Sequence, residues 1–528
     1  MSFAPDTLRP ATFFRGRLNQ KLPFREALSA LHDVVVSDQR FQPKDRTEYF
    51  AWRAQQDELD WTELGAQRAG TRQRIEAIRA ELDKIQVNHT RRTGDFYKAR
   101  KKYFDYLYKA NYAAWWVLDP VITVHPDELF FECFSRDESS YGRVGCNYNV
   151  FDELGERACG TTNIDYSDAL YDEFSRIRDY KVTELSVDPT GFEVETQGAD
   201  RYREVKIDLP DSWVRGFLQV SSAMTLPGVQ LQLHPMDIYN FCHVLRRQKE
   251  RHGPRSMRWL LKPGQPVRVR FEPFDLTLTC ARSVYTGSTE QEIRTWGRRR
   301  LFALERLIPV ARGFTVTLLG TGMPSFWEAD LGDLRFTLGL SGWTSNDWSA
   351  CGNFDLLAPR ARVDTHTAQK VFDALRADWV AEPGALARKL GLERKVVLGA
   401  LAMWAQAGRV MVDLGRGVYR ARELTREPLP MDRLRFTSDR EAEAWGLVNQ
   451  GAVTHLHANQ QGEHLRLQGQ VRQGSHTERP TLRLDRDQRV ADATCTCSYF
   501  FRNKLRRGPC AHILALRLAH GRRFGVAS

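Results

Sequence analysis

Residues 493–520 read ATCTCSYFFRNKLRRGPCAHILALRLAH (Ala493–His520), and their reading decides how the C-terminal end of the chain folds. Cys495 and Cys497 close a β-prone run, Arg489–Thr494. In a straight strand residues i and i+2 point to one side, so a C-x-C pair aims two thiolates at one point. After a loop over 498–509, Cys510 and His512 open a stretch with Ile513, Leu514, Leu516 and Leu518 at helical spacing. Two residues apart on an ideal helix are separated by about 200°. Closure of a four-ligand site therefore needs one ligand on the cap side, which Gly508-Pro509 permits. Three sulfurs and one imidazole suit tetrahedral Zn2+, and a full protein complement predicts a structural site with no open position for water. Metal binding then supplies much of the folding free energy of so small a unit. Three of the nine cysteines fall within sixteen positions beside a histidine, the clustering of metal ligands rather than of buried or redox thiols.

The strands before the ligands are GEHLRLQGQV (Gly462–Val471), then, past a polar turn at Gly474, PTLRLD (Pro480–Asp485) and RVADATCTC (Arg489–Cys497). With C-x-C, a loop and C-x-H opening a helix, residues 461–520 resemble the SWIM-type zinc finger. The resemblance implies Cys495, Cys497, Cys510 and His512 as ligands, a ββα-type module, and a role in binding DNA or proteins. The body of the chain, with GTGMPSFWEADLGDLRFTLGLSGWTSNDWS (Gly320–Ser349), is similar to long bacterial SWIM proteins. Such proteins are often encoded near MoxR-type ATPases and von Willebrand A-domain proteins, which implies an AAA-type ATPase as a protein partner.

Between its second and third ligands the finger carries Tyr499, Phe500 and Phe501, then Arg502, Lys504, Arg506 and Arg507, with no acidic residue. Basic side chains beside aromatics suit phosphate neutralisation and base stacking. The alternative is that the aromatics fill a small core and the cations merely solvate the loop; both readings stay open.

Upstream, THTAQKVFDALRADW, EPGALARKLGL and ERKVVLGALAMWAQAGRV predict three helices, with Pro383 in the first turn of the second and Gly391 at its end. VMVDL, Gly415-Arg416-Gly417 and VYRAR predict a hairpin. This order resembles a winged helix over 364–425. As a DNA reader it would place Arg388, Lys389, Arg394 and Lys395 near the groove and Arg416 at the wing tip. The third helix is nearly all apolar after Lys395, so a docking or spacer role is at least as well supported.

The remainder divides into a helical N-terminal region (1–118), a mixed α+β domain (119–350) and the finger domain (435–528), a multidomain α+β chain. Thr71–Gln86 has an amphipathic stripe, and Arg91, Arg92, Lys98, Arg100, Lys101 and Lys102 interleave with Tyr97, Tyr103 and Phe104. In the middle, ELFFECFS, YGRVGCNYNVF, FEVETQ, VRGFLQVSS, VRVRFEPF, LTLTCARSVY and GFTVTLLGTG predict strands, and Met236–Glu250 and Gln291–Val310 helices. GTG at Gly320–Gly322 lacks the spacing of a phosphate loop.

At 528 residues the chain exceeds one ordinary core, and 42% hydrophobic residues exclude a largely disordered chain. A net charge of +11 leans toward an anionic partner. No apolar run reaches membrane-spanning length and the N-terminus has no secretory h-region, so a cytoplasmic protein with reduced thiols is expected. No catalytic motif is recognised and no catalytic residue is nominated. Two functions remain. One is a nucleic-acid binder using Tyr499, Arg502, Lys504, Arg506 and Arg507 with Arg394 and Lys395; the other is an adaptor whose finger and winged segment dock proteins.

Overall fold

The computed structural model describes residues 12–38 and 120–524, except 153, 156, 164–167, 189–190, 197–201, 206–210, 250–254, 343–346, 350–352, 359–362, 425–438 and 487. Contacts divide the chain into residues 1–38 with 118–528, and a second unit of 39–117. The second unit lies outside the described residues, as do the stripe at Thr71–Gln86 and the basic run beyond it.

Helices in chain order are α1 (Lys21–Val36), α2 (Asp168–Ser175), α3 (Asp211–Met224), α4 (Pro235–Arg247), α5 (Thr365–Asp378), α6 (Pro383–Leu390), α7 (Arg394–Gln406), α8 (Asp439–Asn449), α9 (Ser498–Asn503) and α10 (Ala511–Phe524). The centre is an eight-stranded antiparallel sheet. Its order is Val229–Leu233, Gly313–Leu318, Ser325–Asp330, Leu334–Leu340, Ser140–Asn147, Glu128–Phe134, Val121–Val124, Gly160–Asn163. Strand Glu128–Phe134 is buried at every residue, because both of its faces are covered. On one face Phe131 packs edge-on against Phe24 of α1, and on the other Phe134 meets Trp213 and Phe217 of α3. Strand Phe14–Leu18, just before α1, joins a second, five-stranded sheet by pairing with Thr183–Asp188.

Two expectations for the middle region are corrected. VRGFLQVSS is not a strand but lies within α3: Trp213, Phe217 and Val220 are buried at helical spacing, and Gly216 lets the helix approach Phe134, whose ring a Cβ there would meet at 2.9 Å. A short apolar run carries both periods, and packing chose between them. Gln291–Val310 is not one helix. Gln291–Thr295 is a strand paired with Met257–Leu261, and a 3-10 segment (Arg298–Leu307) follows.

Between 364 and 422 the three expected helices and the hairpin are present, with Val380–Ala381 adding a third strand. Asp364 caps α5 through the Thr367 amide at 2.9 Å, and Gly391 ends α6 with φ +66°. Val371, Phe372, Leu375, Val397, Leu401 and Trp404 form the core, with the Trp404 ring stacked on Phe372 at 4.4 Å.

This segment is held against the central sheet by buried ion pairs. Arg422 Nη1 donates to both carboxylate oxygens of Glu132 at 2.6 and 2.7 Å, with both side chains at most 2% exposed. Arg420, fully buried, reaches Asp413 at 3.0 Å, Asp127 at 2.8 Å and Glu128 at 3.2 Å. Arg143 pairs with Glu128 and, at 3.5 Å, with Asp413. The expected wing tip is part of the same interface. Arg416 donates to Asp127 at 2.7 Å, and a Cβ at Gly415 would collide with Arg335 and Glu328.

His125 sits in this interface, its Nε2–H donating to the Ala421 carbonyl at 2.7 Å and its Nδ1 facing Arg420 at 3.4 Å. Burial, reinforced by the Arg420 charge, lowers its pKa from 6.5 to about 3. The unfolded chain thus binds a proton below pH 6.5 that the folded chain refuses, so stability is complete above 6.5 and lost as pH falls toward 3. Each unit of that window costs at most about 1.4 kcal/mol. Denaturation midpoints at pH 7 and pH 5 should differ in the wild type and converge in His125→Gln; an equal pH response in both would remove His125 as the cause.

Candidate metal centre

The finger builds on an antiparallel sheet whose order is Val453–Gln461, His464–Gln473, Thr481–Leu484, Val490–Thr494, with His476–Glu478 paired beside His464–Gln473. The hairpin strand Val453–Gln461 was not among the sequence expectations: it is mostly exposed and lacks the alternation that marks a half-buried strand. Leu467, Leu482 and Leu484 are buried together with Ile513 and Leu516 of α10. Ala511, Leu514, Ala515 and Leu518 pack with Ala444 and Leu447 of α8 and with Leu356.

Cys495 directly follows strand Val490–Thr494, and Cys497 is the N-cap of α9, its sulfur accepting from the Phe500 amide at 3.4 Å. The expected loop therefore contains a short helix. Cys510 lies just before α10, its carbonyl accepting from the Leu514 amide at 3.2 Å, and His512 is in the first turn. This is the cap-side placement that closure of the site requires.

The ligand atoms of Cys495, Cys497, Cys510 and His512 all lie within 4.8 Å of one another. A zinc tetrahedron with bonds of about 2.3 Å has sulfur–sulfur edges on the order of 3.8 Å, so the set fits the ion with a slight contraction. His512 supplies an independent test. Its Nε2–H donates to Gln473 Oε1 at 2.8 Å, while Nδ1 is buried without a hydrogen-bond partner. A buried nitrogen left unsatisfied beside three sulfurs has the ion as its natural partner. Hydrogen bonds with Cys495 and then Cys510 pull the Cys497 thiol below its usual pKa. Burial opposes the His512 imidazolium, yet the close Cys495 and Cys497 sulfurs prevail and raise it to about 10. Thiols bind zinc as thiolates, so metal binding at such a cluster releases the protons its cysteines still carry. Zn2+ bound here ties the strand end to the helix start, and the complete protein donor set makes its role structural.

The remaining candidates in the loop separate into two groups. Tyr499 is half-buried under the Arg440 guanidinium, 4.8 Å from the ring centre, and its hydroxyl donates to the Arg507 carbonyl at 2.9 Å. Arg506 donates to the carbonyls of Asn503 at 3.0 Å and Arg502 at 2.8 Å, and its stem lies on Gly322. The Gly320–Gly322 turn is thus a platform for the finger. Gly508 is equally close to the body, since a Cβ there would meet the Asn353 carbonyl at 2.8 Å. Arg502, Lys504 and Arg507 remain exposed, together with Phe501 at 76%. Sequence reasoning named Tyr499 as the candidate aromatic contact; the structure exposes Phe501 instead. In the other segment, Arg394 and Lys395 occupy the exposed first turn of α7, Lys395 paired with Glu393 at 2.8 Å, while Val397–Leu401, Trp404 and Ala405 are buried. Lys389 is paired with Asp378 at 2.5 Å.

The geometry defines a zinc finger of the Cys3His class. The model of the SWIM zinc finger family matches residues 481–521, which contain all four ligands. No curated protein matches the chain in sequence. Solved structures with partial likeness include proliferating cellular nuclear antigen from Entamoeba histolytica (8% identity, TM-score 0.38, covering 62% of this chain and 98% of that one). Others are A. fulgidus PCNA bound by the C-terminal region of FEN-1 (13%, 0.33, 42% and 89%) and the PCNA2–PCNA3 complex from Sulfolobus tokodaii (8%, 0.34, 43% and 90%). Likenesses this weak leave function to the chain's own residues.

Among the described residues no helix is long and apolar enough to cross a membrane. The described cysteines are unpaired thiols, and Cys133, Cys146, Cys242 and Cys280 are buried.

Proposed function

We propose that this zinc finger protein binds nucleic acid, with an unpaired base stacking on Phe501 and with Arg502, Lys504 and Arg507 neutralising phosphates. The observation that carries the reading is the exposure of Phe501 (76%) on the zinc-anchored helix α9, with the Lys504 ammonium 5.7 Å from its ring centre. A large aromatic held in water forgoes the stabilisation of burial, and a cation beside it suits a stacked, negatively charged ligand.

A second reading is an adaptor, a cytoplasmic scaffold serving an AAA-type ATPase. Its support is the segment 364–425, read as a winged helix: α7 is packed along most of its length and Arg416 is tied to Asp127, which leaves little of either to enter a DNA groove.

The test is fluorescence anisotropy of labelled single-stranded and duplex DNA and RNA with zinc-loaded protein at two salt concentrations. Phe501→Ala should weaken single-strand binding by roughly 5- to 150-fold, the equivalent of about 1–3 kcal/mol per stacked base. Replacing Arg502, Lys504 and Arg507 together by Gln should flatten the salt dependence by about two units of slope. Zinc-loaded wild type that binds no oligonucleotide at low salt would remove this reading and leave the adaptor.

A further inference from the structure

The SWIM match begins at residue 481, yet two of the groups that hold the metal ligands in place come from α8, more than thirty residues earlier. Arg440, in the first turn of α8, donates to the carbonyls of Arg507 at 2.6 Å and Pro509 at 3.0 Å, and to the Tyr499 hydroxyl. Those carbonyls flank Gly508 (φ +78°), the turn that delivers Cys510 to the site. Within the turn Gly508 N–H donates to the Leu505 carbonyl at 2.9 Å, but Pro509 has no N–H to give and Gly508 no side chain to pack. Arg440 Nη1, shared by both carbonyls and the Tyr499 hydroxyl while the guanidinium lies over the Tyr499 ring, fixes the path of the turn with one side chain.

One helical turn on, Glu443 of α8 accepts from the Gln473 amide, and Gln473 Oε1 in turn accepts from His512 Nε2 at 2.8 Å. Gln473 is the last residue of strand His464–Gln473 and also precedes the matched segment. An acceptor on Nε2 keeps the proton there and presents Nδ1, the nitrogen left without a partner, to the metal. The carboxylate behind the amide fixes which way the amide faces, so that oxygen rather than nitrogen meets the imidazole.

We infer that α8 is the outer shell of the zinc centre, with Arg440 positioning the Cys510 loop and the Glu443–Gln473 pair setting the tautomer and orientation of His512. None of the three touches the ion; each acts through a ligand. The inference is independent of what the finger binds. It also makes α8 the link between metal and body, because Ala444 and Leu447 on its inner face share a cluster with Leu356.

The experiment uses the full chain and the metal alone. Zinc affinity is read by competition with a chromophoric chelator, the site by the absorption of the Co2+-substituted protein, and the His512 tautomer by long-range proton–nitrogen NMR. Arg440→Leu is expected to weaken zinc binding by roughly 10- to 100-fold and to change the cobalt spectrum; Arg440→Lys, which keeps the charge without the planar group over Tyr499, should recover only part of the loss. The exposed Gln473→Leu should weaken it by about 10-fold, the low end of that range, and lose the protected Nε2–H signal. The exchanged pair Gln473→Glu with Glu443→Gln rebuilds the chain of hydrogen bonds with the charge nearer the imidazole, and should restore zinc affinity. Nε2 ligation in the wild type would overturn the role of Gln473 and Glu443. Zinc affinity and cobalt spectrum unchanged in Arg440→Leu and Gln473→Leu, with only the thermal midpoint lowered, would reduce α8 to a packing helix.

Discussion

Serine in place of Cys510 is expected to abolish zinc retention and to release α9 and the start of α10, while residues 120–424 keep their sheets. Cys510 is the ligand that ties the helix start to the C-x-C end of the strand, and the four ligand atoms share one small volume. The apolar core beneath is small: Leu467, Leu482, Leu484, Ile513 and Leu516 form one side of it, and Leu514 and Leu518 face α8 on the other. Structural zinc in isolated finger peptides contributes on the order of 10–16 kcal/mol, as much as burying five such side chains at about 1.5–3 kcal/mol each. The body has its own extensive core, and among the described residues the metal-ligand cluster lies in the finger. Metal content after dialysis against a chelator, with trypsin cleavage at Arg502–Arg507, reads both halves of the expectation. Cys280→Ser, at a buried cysteine outside the finger, should keep its zinc. A Cys510→Ser protein with stoichiometric zinc and a trypsin-resistant finger would refute the assignment.

The second large effect belongs to the interface between the three-helix segment and the sheet. Arg422→Leu leaves Glu132 buried with its charge, with the Tyr141 hydroxyl at 2.7 Å still donating to it. Stranding one partner of a buried pair costs about 3–5 kcal/mol, because the remaining ion has lost water and gained nothing in its place. Removing both, in Glu132→Leu with Arg422→Leu, should recover much of that loss. Leucine fills part of each volume, although the Tyr141 hydroxyl then lacks its acceptor. Urea midpoints of the two singles and the double give the coupling directly. A single substitution costing less than about 1 kcal/mol would mean that the interface opens to water.

How far each element was legible depended on how locally it is determined. The helices α5, α6 and α7 were readable because their caps and apolar stripes lie within each segment: Asp364, Pro383 and Gly391 bracket runs whose buried residues follow a 3.6 period. VRGFLQVSS was misread because Val, Phe and Leu at that density satisfy a strand as well as a helix. What settled it was Phe134, a residue of another strand, against which Gly216 packs. The strand Val453–Gln461 was missed for the opposite reason, since an exposed hairpin strand buries too little to leave a pattern.

The sequence by itself determined the metal centre. Four donors of the right softness stand within eighteen residues, 495–512, and chelation is a short-range bond that demands a fixed set of atoms, so spacing alone identifies them. Tertiary structure alone decided which neighbours of that centre face water. Tyr499 and Arg506 are taken up by Arg440 and Gly322, while Phe501 and Lys504 are left outside, and each choice depends on a surface folded from distant residues. It also decided that the hairpin bearing Arg416, Arg420 and Arg422 is docked rather than free. The carboxylate that receives Arg422 lies 290 residues away in the chain, and a charge pattern carries no record of the opposite charge that folding will bring to it.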